Sequence, residues 1–168
     1  SEMCIRDRNW NPEDFTAGLA FKSGLKATAS GRKVFEIALC SRCHRFQGSG
    51  YAVGPNLTGV AKRLGRNDLL RAILLPSESI AQNYRTDVLE LVDGRTLSGQ
   101  IIPTLDYRAP FLLLAENPLL PDQTIKITKV EVLKSKRSDL SIMPPGLLNN
   151  LNKQEVLDLL AYLESTGN

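Results

Sequence analysis

The chain has 168 residues, 42% hydrophobic and 23% charged, with 21 Lys and Arg against 18 Asp and Glu for a net charge of +3. That length allows one large domain, or a small domain with a sizeable insertion. No apolar run approaches the roughly 20 residues of a membrane-spanning helix, and so small and dispersed a charge argues against a nucleic-acid partner.

The first residues, SEMCIRDR, resemble translated sequencing adaptor, so Ser1 to Arg8 are expected to be a non-native leader, and Cys4 with them to have no function. Residues 9–30 read as a leading helix and linker, with Asn11 as cap, Pro12 at the first helical position and Glu13 and Asp14 in the first turn. Ser30 can cap a second helix, in which Val34 and Ala38, and Phe35 and Leu39, recur at the i, i+4 spacing of a buried face. QGSGYAVGPNLTG is glycine-rich and predicts an ordered loop. Asn67 then caps a helix through Leu75, with Leu70, Ile73 and Leu74 as its apolar stripe and Pro76 as its stop.

Between Tyr84 and Arg137 the period changes to two. VLELV, Asp93-Gly94 and TLSGQII predict a hairpin, and FLLLA, TIKIT and VEVLK continue the strand signal, giving a β insertion of at least four strands. Gly99 inside a strand predicts a bulge or sharp bend, by which the sheet would curl into a small barrel. Its acidic residues, Asp87, Glu90, Asp93, Asp106, Glu116, Asp122 and Glu131, read as solvent-facing or turn positions. Helical pattern returns at the C-terminus: Asn152 and Glu155 fit a capping box, Leu151 and Val156 a hydrophobic staple, Val156, Leu159, Leu160 and Leu163 an apolar stripe, and Gly167 a stop.

The chemistry of the chain is concentrated in CSRCH, residues 40–44. C-x-x-C-H is the signature of c-type haem attachment. Two cysteines about one turn apart can add across the two vinyl groups of one porphyrin edge, and the next residue aims an imidazole at the iron. His44 is the only histidine in the sequence, so no other imidazole can be the proximal ligand. Two rivals exist. A closed zinc site needs four ligands and would have to recruit Cys4 and bind one ion through the divergent side chains of Cys43 and His44. A thioredoxin-like dithiol belongs at the start of a helix after a strand, in a βαβ pattern absent here.

The order of segments agrees with single-haem cytochromes: a helix, GRKVFEIALCSRCH, then GPNLTG, then IMPPG, then a final helix, EVLDLLAYL. Through CSRCH, VGPNLTGVAKR, LLPSESIAQNY, LVDGRTLSGQI and SDLSIMPPGLLNNLNKQEVLDLLAYL, the chain resembles the haem-binding cytochrome c domain at the C-terminal end of membrane-associated dehydrogenase-like proteins of Planctomycetes and Verrucomicrobia. The resemblance implies one covalent haem c on Cys40 and Cys43, iron ligation by His44 and Met143, and an extracytoplasmic, periplasmic-type location. It also implies an electron-relay role with a fused dehydrogenase domain or redox proteins as partners. By position, the carbonyl of Pro55 would hold the proximal imidazole.

The fold expected is a mainly α class I cytochrome c over residues 31–168, with a β-rich insertion at about 84–137, and the chain is read as an electron carrier and not an enzyme. Leu57 and Ile73 would line the haem pocket. If Met143 is not a ligand, a five-coordinate sensor or peroxidase-like site is the alternative, and a binding or structural module acting through the β insertion is another. GSGYAVG follows no strand and has the wrong spacing for a dinucleotide loop, and Asn56-Leu57-Thr58 reads as a chance sequon. Arg63, Arg66, Arg71, Tyr51 and Tyr84 are candidates for haem propionates, though the arginines suit a solvated face; Lys134, Lys136 and Arg137 are candidates for a docking surface.

Overall fold

A computed structural model describes residues 8–20 and 24–165; Cys4, nearly all of the expected leader and Gly167 lie outside them. The chain forms two compact units, Ser1–Glu78 with Pro144–Asn168, and Ser79–Met143.

In the first unit, the leading segment is a short 3-10 turn, Pro12–Phe15. The Asp14 carboxylate accepts the Asn11 N–H at 2.9 Å, fixing the turn at the predicted cap. Phe15 is fully buried, its ring centroid lies 5.0 Å from that of Trp10, and the Trp10 indole donates to the Leu151 carbonyl at 3.1 Å. The segment is thus part of the core.

α1 runs Leu25–Ile37 with Gly24 as its cap. Ser30 therefore lies inside the helix and does not begin it. Nothing between Leu25 and Ala29 breaks a helix, so the helix extends back past the first residue with capping chemistry. Val34, Phe35 and Ala38 are buried as expected. α2 runs Arg66–Leu74 with Gly65 as its cap. Asn67 is one residue inside it, while Pro76 follows and is buried.

α3, Lys153–Glu164, begins with the predicted capping box. Glu155 N–H donates to Asn152 Oδ1 at 2.9 Å, and Asn152 N–H to Glu155 Oε2 at 2.7 Å. Leu151 and Val156, the staple pair, are both buried, as are Leu159, Leu160 and Leu163. α1 and α3 meet backbone to backbone where Gly31 faces Asp158. A methyl group on Gly31 would overlap the Asp158 carbonyl and lie 2.7 Å from Tyr162 Cβ, so only glycine allows the approach. Beside it, Tyr162 packs edge to face with both Phe35 and Phe46, its centroid 4.8 Å from that of Phe46, and Phe35 and Phe46 are tilted against each other. Arg66 ties α2 to both ends of this unit: it pairs through two nitrogens with Glu164 and donates to the Leu19 carbonyl at 3.3 Å.

The second unit is a five-stranded antiparallel sheet of β3 (Arg85–Leu91), β4 (Thr96–Ile102), β5 (Phe111–Ala115), β6 (Ile125–Thr128) and β7 (Val132–Ser141), in the order β6-β5-β4-β3-β7; β1 and β2 belong to the first unit. The β3–β4 hairpin turns at Asp93-Gly94, with Gly94 at φ 89° and Asp93 Oδ1 accepting the Arg95 N–H at 3.0 Å. β4 changes partner along its length: Thr96 to Gly99 pair with β3, and Gln100 to Ile102 with β5. Such a change of partner turns a sheet corner. At that corner a methyl on Gly99 would overlap the Ala115 carbonyl, so Gly99 serves close approach and not a bulge. The register shifts fall instead between β3 and β7. Leu89, Leu91, Leu114 and Ile127 form the core. Asp87 is not solvent-facing: its side chain is only 13% exposed, beside Arg137 at 3.8 Å and the Ile101 N–H at 3.4 Å. Among the described residues, the hydrogen-bonded order has two ends, so the sheet does not close into a barrel, and no helix is long and apolar enough to cross a membrane.

Candidate functional site

α1 stops just before CSRCH. Leu39 takes the left-handed conformation, φ 62°, which ends the helix and swings its side chain off the face it was expected to share with Phe35; it is 37% exposed. The motif is a single 3-10 turn, Cys40–Arg42, in which the Cys40 carbonyl accepts the N–H groups of Cys43 and His44 at 3.2 and 2.9 Å. One turn therefore carries all three side chains at i, i+3 and i+4, positions that share a face.

The following segment is laced to this turn by its backbone. β1 (Arg45–Phe46) and β2 (Ser49–Gly50) form a small hairpin where the sequence predicted only loop. Gln47 and Gly48, at φ 50° and 83°, make its turn. A methyl on Gly50 would overlap the His44 carbonyl. Tyr51 N–H then bonds the Ser41 carbonyl at 3.2 Å, and Val53 and Gly54 N–H both bond the Cys43 carbonyl, at 3.0 and 2.8 Å.

This lacing delivers the Pro55 carbonyl to His44 Nδ1 at 2.8 Å, the contact the resemblance implies. A carbonyl only accepts, so Nδ1 holds the proton and Nε2 keeps its lone pair. His44 is buried, and burial pushes its pKa below the ordinary imidazole value, against a smaller upward effect of the Pro55 bond. The ring is neutral, and its orientation is fixed by its partner, as for metal-ligating histidines generally.

Burial also bears on the cysteines. It pushes the Cys40 thiol up to about 12, with neighbouring Cys43 adding to the rise, and it raises Cys43 as well. Redox dithiols and zinc sites need accessible thiolate, which positive surroundings stabilise. These are neutral, half-buried thiols, and among the described residues no three His, Cys, Asp or Glu side chains converge on a point that could hold a metal ion. One neutral imidazole with its Nε2 lone pair available, plus two thiols on the preceding turn, fits haem held by two thioether bonds and a histidine.

The other predicted residues fall as follows. Leu57 and Ile73 are half-buried against the core of the first unit. Met143 is half-buried, its N–H bonded to Ser141 Oγ at 3.1 Å, and it ends the second unit, whereas His44 lies in the first. Arg63 donates to the Asn56 carbonyl at 3.1 Å, Arg66 pairs with Glu164, and Arg71 pairs with Glu78 at 3.2 Å. Tyr51 is exposed, and Tyr84 is half-buried in the second unit. Lys134 and Arg137 lie on β7 near Glu90 and Asp87. The Asn56 side chain accepts the Thr58 N–H at 2.9 Å, a local turn. The sequence marks Gly50 and Gly54 as loop glycines, but not that they let the loop reach the His44 backbone and ring.

Together these features fit a c-type haem attachment site. The Cytochrome c family model matches residues 28–87, from α1 through CSRCH, the loop and α2 into β3. That stretch is similar to a family that binds haem covalently and transfers electrons. No curated protein matches the chain.

Proposed function

We propose that the chain is a single-haem c-type cytochrome of the class I arrangement, with the β unit inserted between its CxxCH and methionine halves, and that it acts in outer-sphere electron transfer. The observation that carries this reading is the buried, neutral His44, held by Pro55 so that Nε2 is presented as donor. Cys40 and Cys43 would each hold the haem through one thioether bond, and His44 and Met143 would be its iron ligands. Haem supplies a reversible one-electron couple at iron; a Met/His pair raises its potential relative to two imidazoles.

The chain's own residues do the rest. The Pro55 bond keeps the imidazole from rotating and burial keeps it neutral, and Leu57 and Ile73 would keep water from the site, so that little would reorganise when charge changes. If His44 and Met143 both serve as iron ligands, the haem would supply electron transfer and not an open substrate site, the arrangement of a carrier. The resemblance to dehydrogenase-linked domains supports a relay role in a larger extracytoplasmic protein.

The test is covalent attachment. Made with a periplasmic haem-maturation system, the protein should keep one haem through acid-acetone extraction, and the double change Cys40→Ser and Cys43→Ser should abolish this. Haem lost to the organic phase from the unchanged protein would refute the reading. Carbon monoxide binding by the unchanged reduced protein would instead support a five-coordinate site.

A further inference from the structure

Gly54 precedes Pro55, and its backbone does not have the positive φ that favours glycine; the positive-φ glycines are Gly48, Gly50, Gly59, Gly94 and Gly146. Any L-residue could adopt its conformation. What excludes a side chain is the ligand ring: a methyl on Gly54 would lie 2.6 Å from His44 Cε1, 2.9 Å from Nδ1 and 3.2 Å from Nε2. The bare backbone therefore abuts the ring edge that joins the two nitrogens. Nor can the loop step back without loss, because Gly54 N–H is bonded to the Cys43 carbonyl at 2.8 Å, Val53 N–H to the same oxygen at 3.0 Å, and Pro55 to the ring itself at 2.8 Å.

We propose that Gly54 is a positioning residue for the haem ligand, setting the tilt and plane of the His44 imidazole from its Cε1 edge and thereby tuning the iron's potential. This rests on the haem reading above. Pro55 alone holds one ring atom and would leave the ring to pivot about that bond; Gly54 supplies the second constraint. Orientation of the ligand and the strength of its hydrogen bond are among the protein's levers on a haem. A methyl at Gly54 must push the ring away, lengthening the Nδ1–Pro55 bond and weakening Nε2 as a donor. A weaker donor stabilises the ferric state less, so the potential rises.

The experiment compares the unchanged loaded protein with Gly54→Ala. In the unchanged ferrous protein, a nuclear Overhauser effect should join Gly54 Hα to His44 Hε1, identifiable because the chain has one histidine. In Gly54→Ala, with covalent haem content retained, the ferric electron paramagnetic resonance g-values should change and the midpoint potential should shift upward. Retained haem with unchanged g-values and potential overturns the proposal. If Gly54→Ala yields no loaded protein, the Overhauser contact decides, its presence supporting the proposal and its absence overturning it. Failure of the haem reading looks different: the unchanged protein would carry no covalent haem, and the same ring contact, measured on the protein as purified, would still judge the geometry.

Discussion

Gly31 and Asp158 meet so closely that the α-carbon of one leaves no room for a methyl beneath the carbonyl of the other. This contact sets how deeply α1 and α3 can approach, and with it the packing of Phe35 against Tyr162.

Gly31→Ala should destabilise the first unit by about 1–3 kcal/mol, toward the upper end because the obstacle is backbone. Helix propensity alone would favour alanine by about 1 kcal/mol. The net loss in a denaturant titration followed at the Trp10 fluorescence therefore underestimates the clash. A stabilised variant would show that the helices are farther apart.

The pH dependence follows from His44. Its folded pKa lies below the ordinary 6.5 because burial penalises the cation, so the proton prefers the unfolded chain. The associated stability is complete above the unfolded value and is lost as pH falls from there through the folded one. Iron and proton would compete for Nε2 in the same direction. Nitrogen resonances of the single imidazole check this: in the folded protein the ring should not titrate at or above pH 6.5.

Met143→Ala tests the second axial ligand. The unchanged ferric protein should be low-spin with the weak red charge-transfer band of sulfur bound to iron. The variant should lose that band, have a lower potential and bind carbon monoxide when reduced. If Met143 only packs against its neighbours, the variant should lose about 2–5 kcal/mol of stability with its spectrum unchanged.

Gly99→Ala probes the corner of the sheet. The added methyl meets the Ala115 carbonyl, so it should pry apart the β4–β5 ladder while leaving the β3–β4 hairpin paired. Amide exchange at Ile101 and Leu114 should accelerate, with exchange at Leu89 and Leu97 little altered. Uniform acceleration across all five strands would show that the sheet opens as one unit.

What could be read from the sequence was local. The capping box at Asn152 and Glu155, the staple of Leu151 and Val156, and the Asp93-Gly94 turn are decided by residues a few positions apart. The chemistry of CSRCH is likewise carried by five adjacent residues. Ser30 and Asn67 misled because capping residues are tolerated inside helices, whereas Gly24 and Gly65 cap without a side chain to announce it. The β1–β2 hairpin escaped because two-residue strands have no period, and Gln47 adopts a left-handed backbone without being glycine. Gly31, Gly54 and Gly99 are dictated by partners far along the chain, at Asp158, at His44 and at Ala115; a glycine's spelling does not say whether it serves a turn or an approach.

The first unit is built from two stretches of chain, with all of Ser79–Met143 synthesised between them. The β unit is contiguous and can collapse as soon as it emerges, but α1 has to wait for α3, which is made after it. Holding that long gap open costs little at equilibrium, since each doubling of a loop adds only about 0.6 kcal/mol; its effect is on timing. Until α3 arrives, the apolar cluster that Cys40 leans on is incomplete, and the sulfur that burial later makes so reluctant to ionise still faces water. The order of synthesis thus leaves an interval in which Cys40 is chemically accessible, and the arrival of α3 closes it.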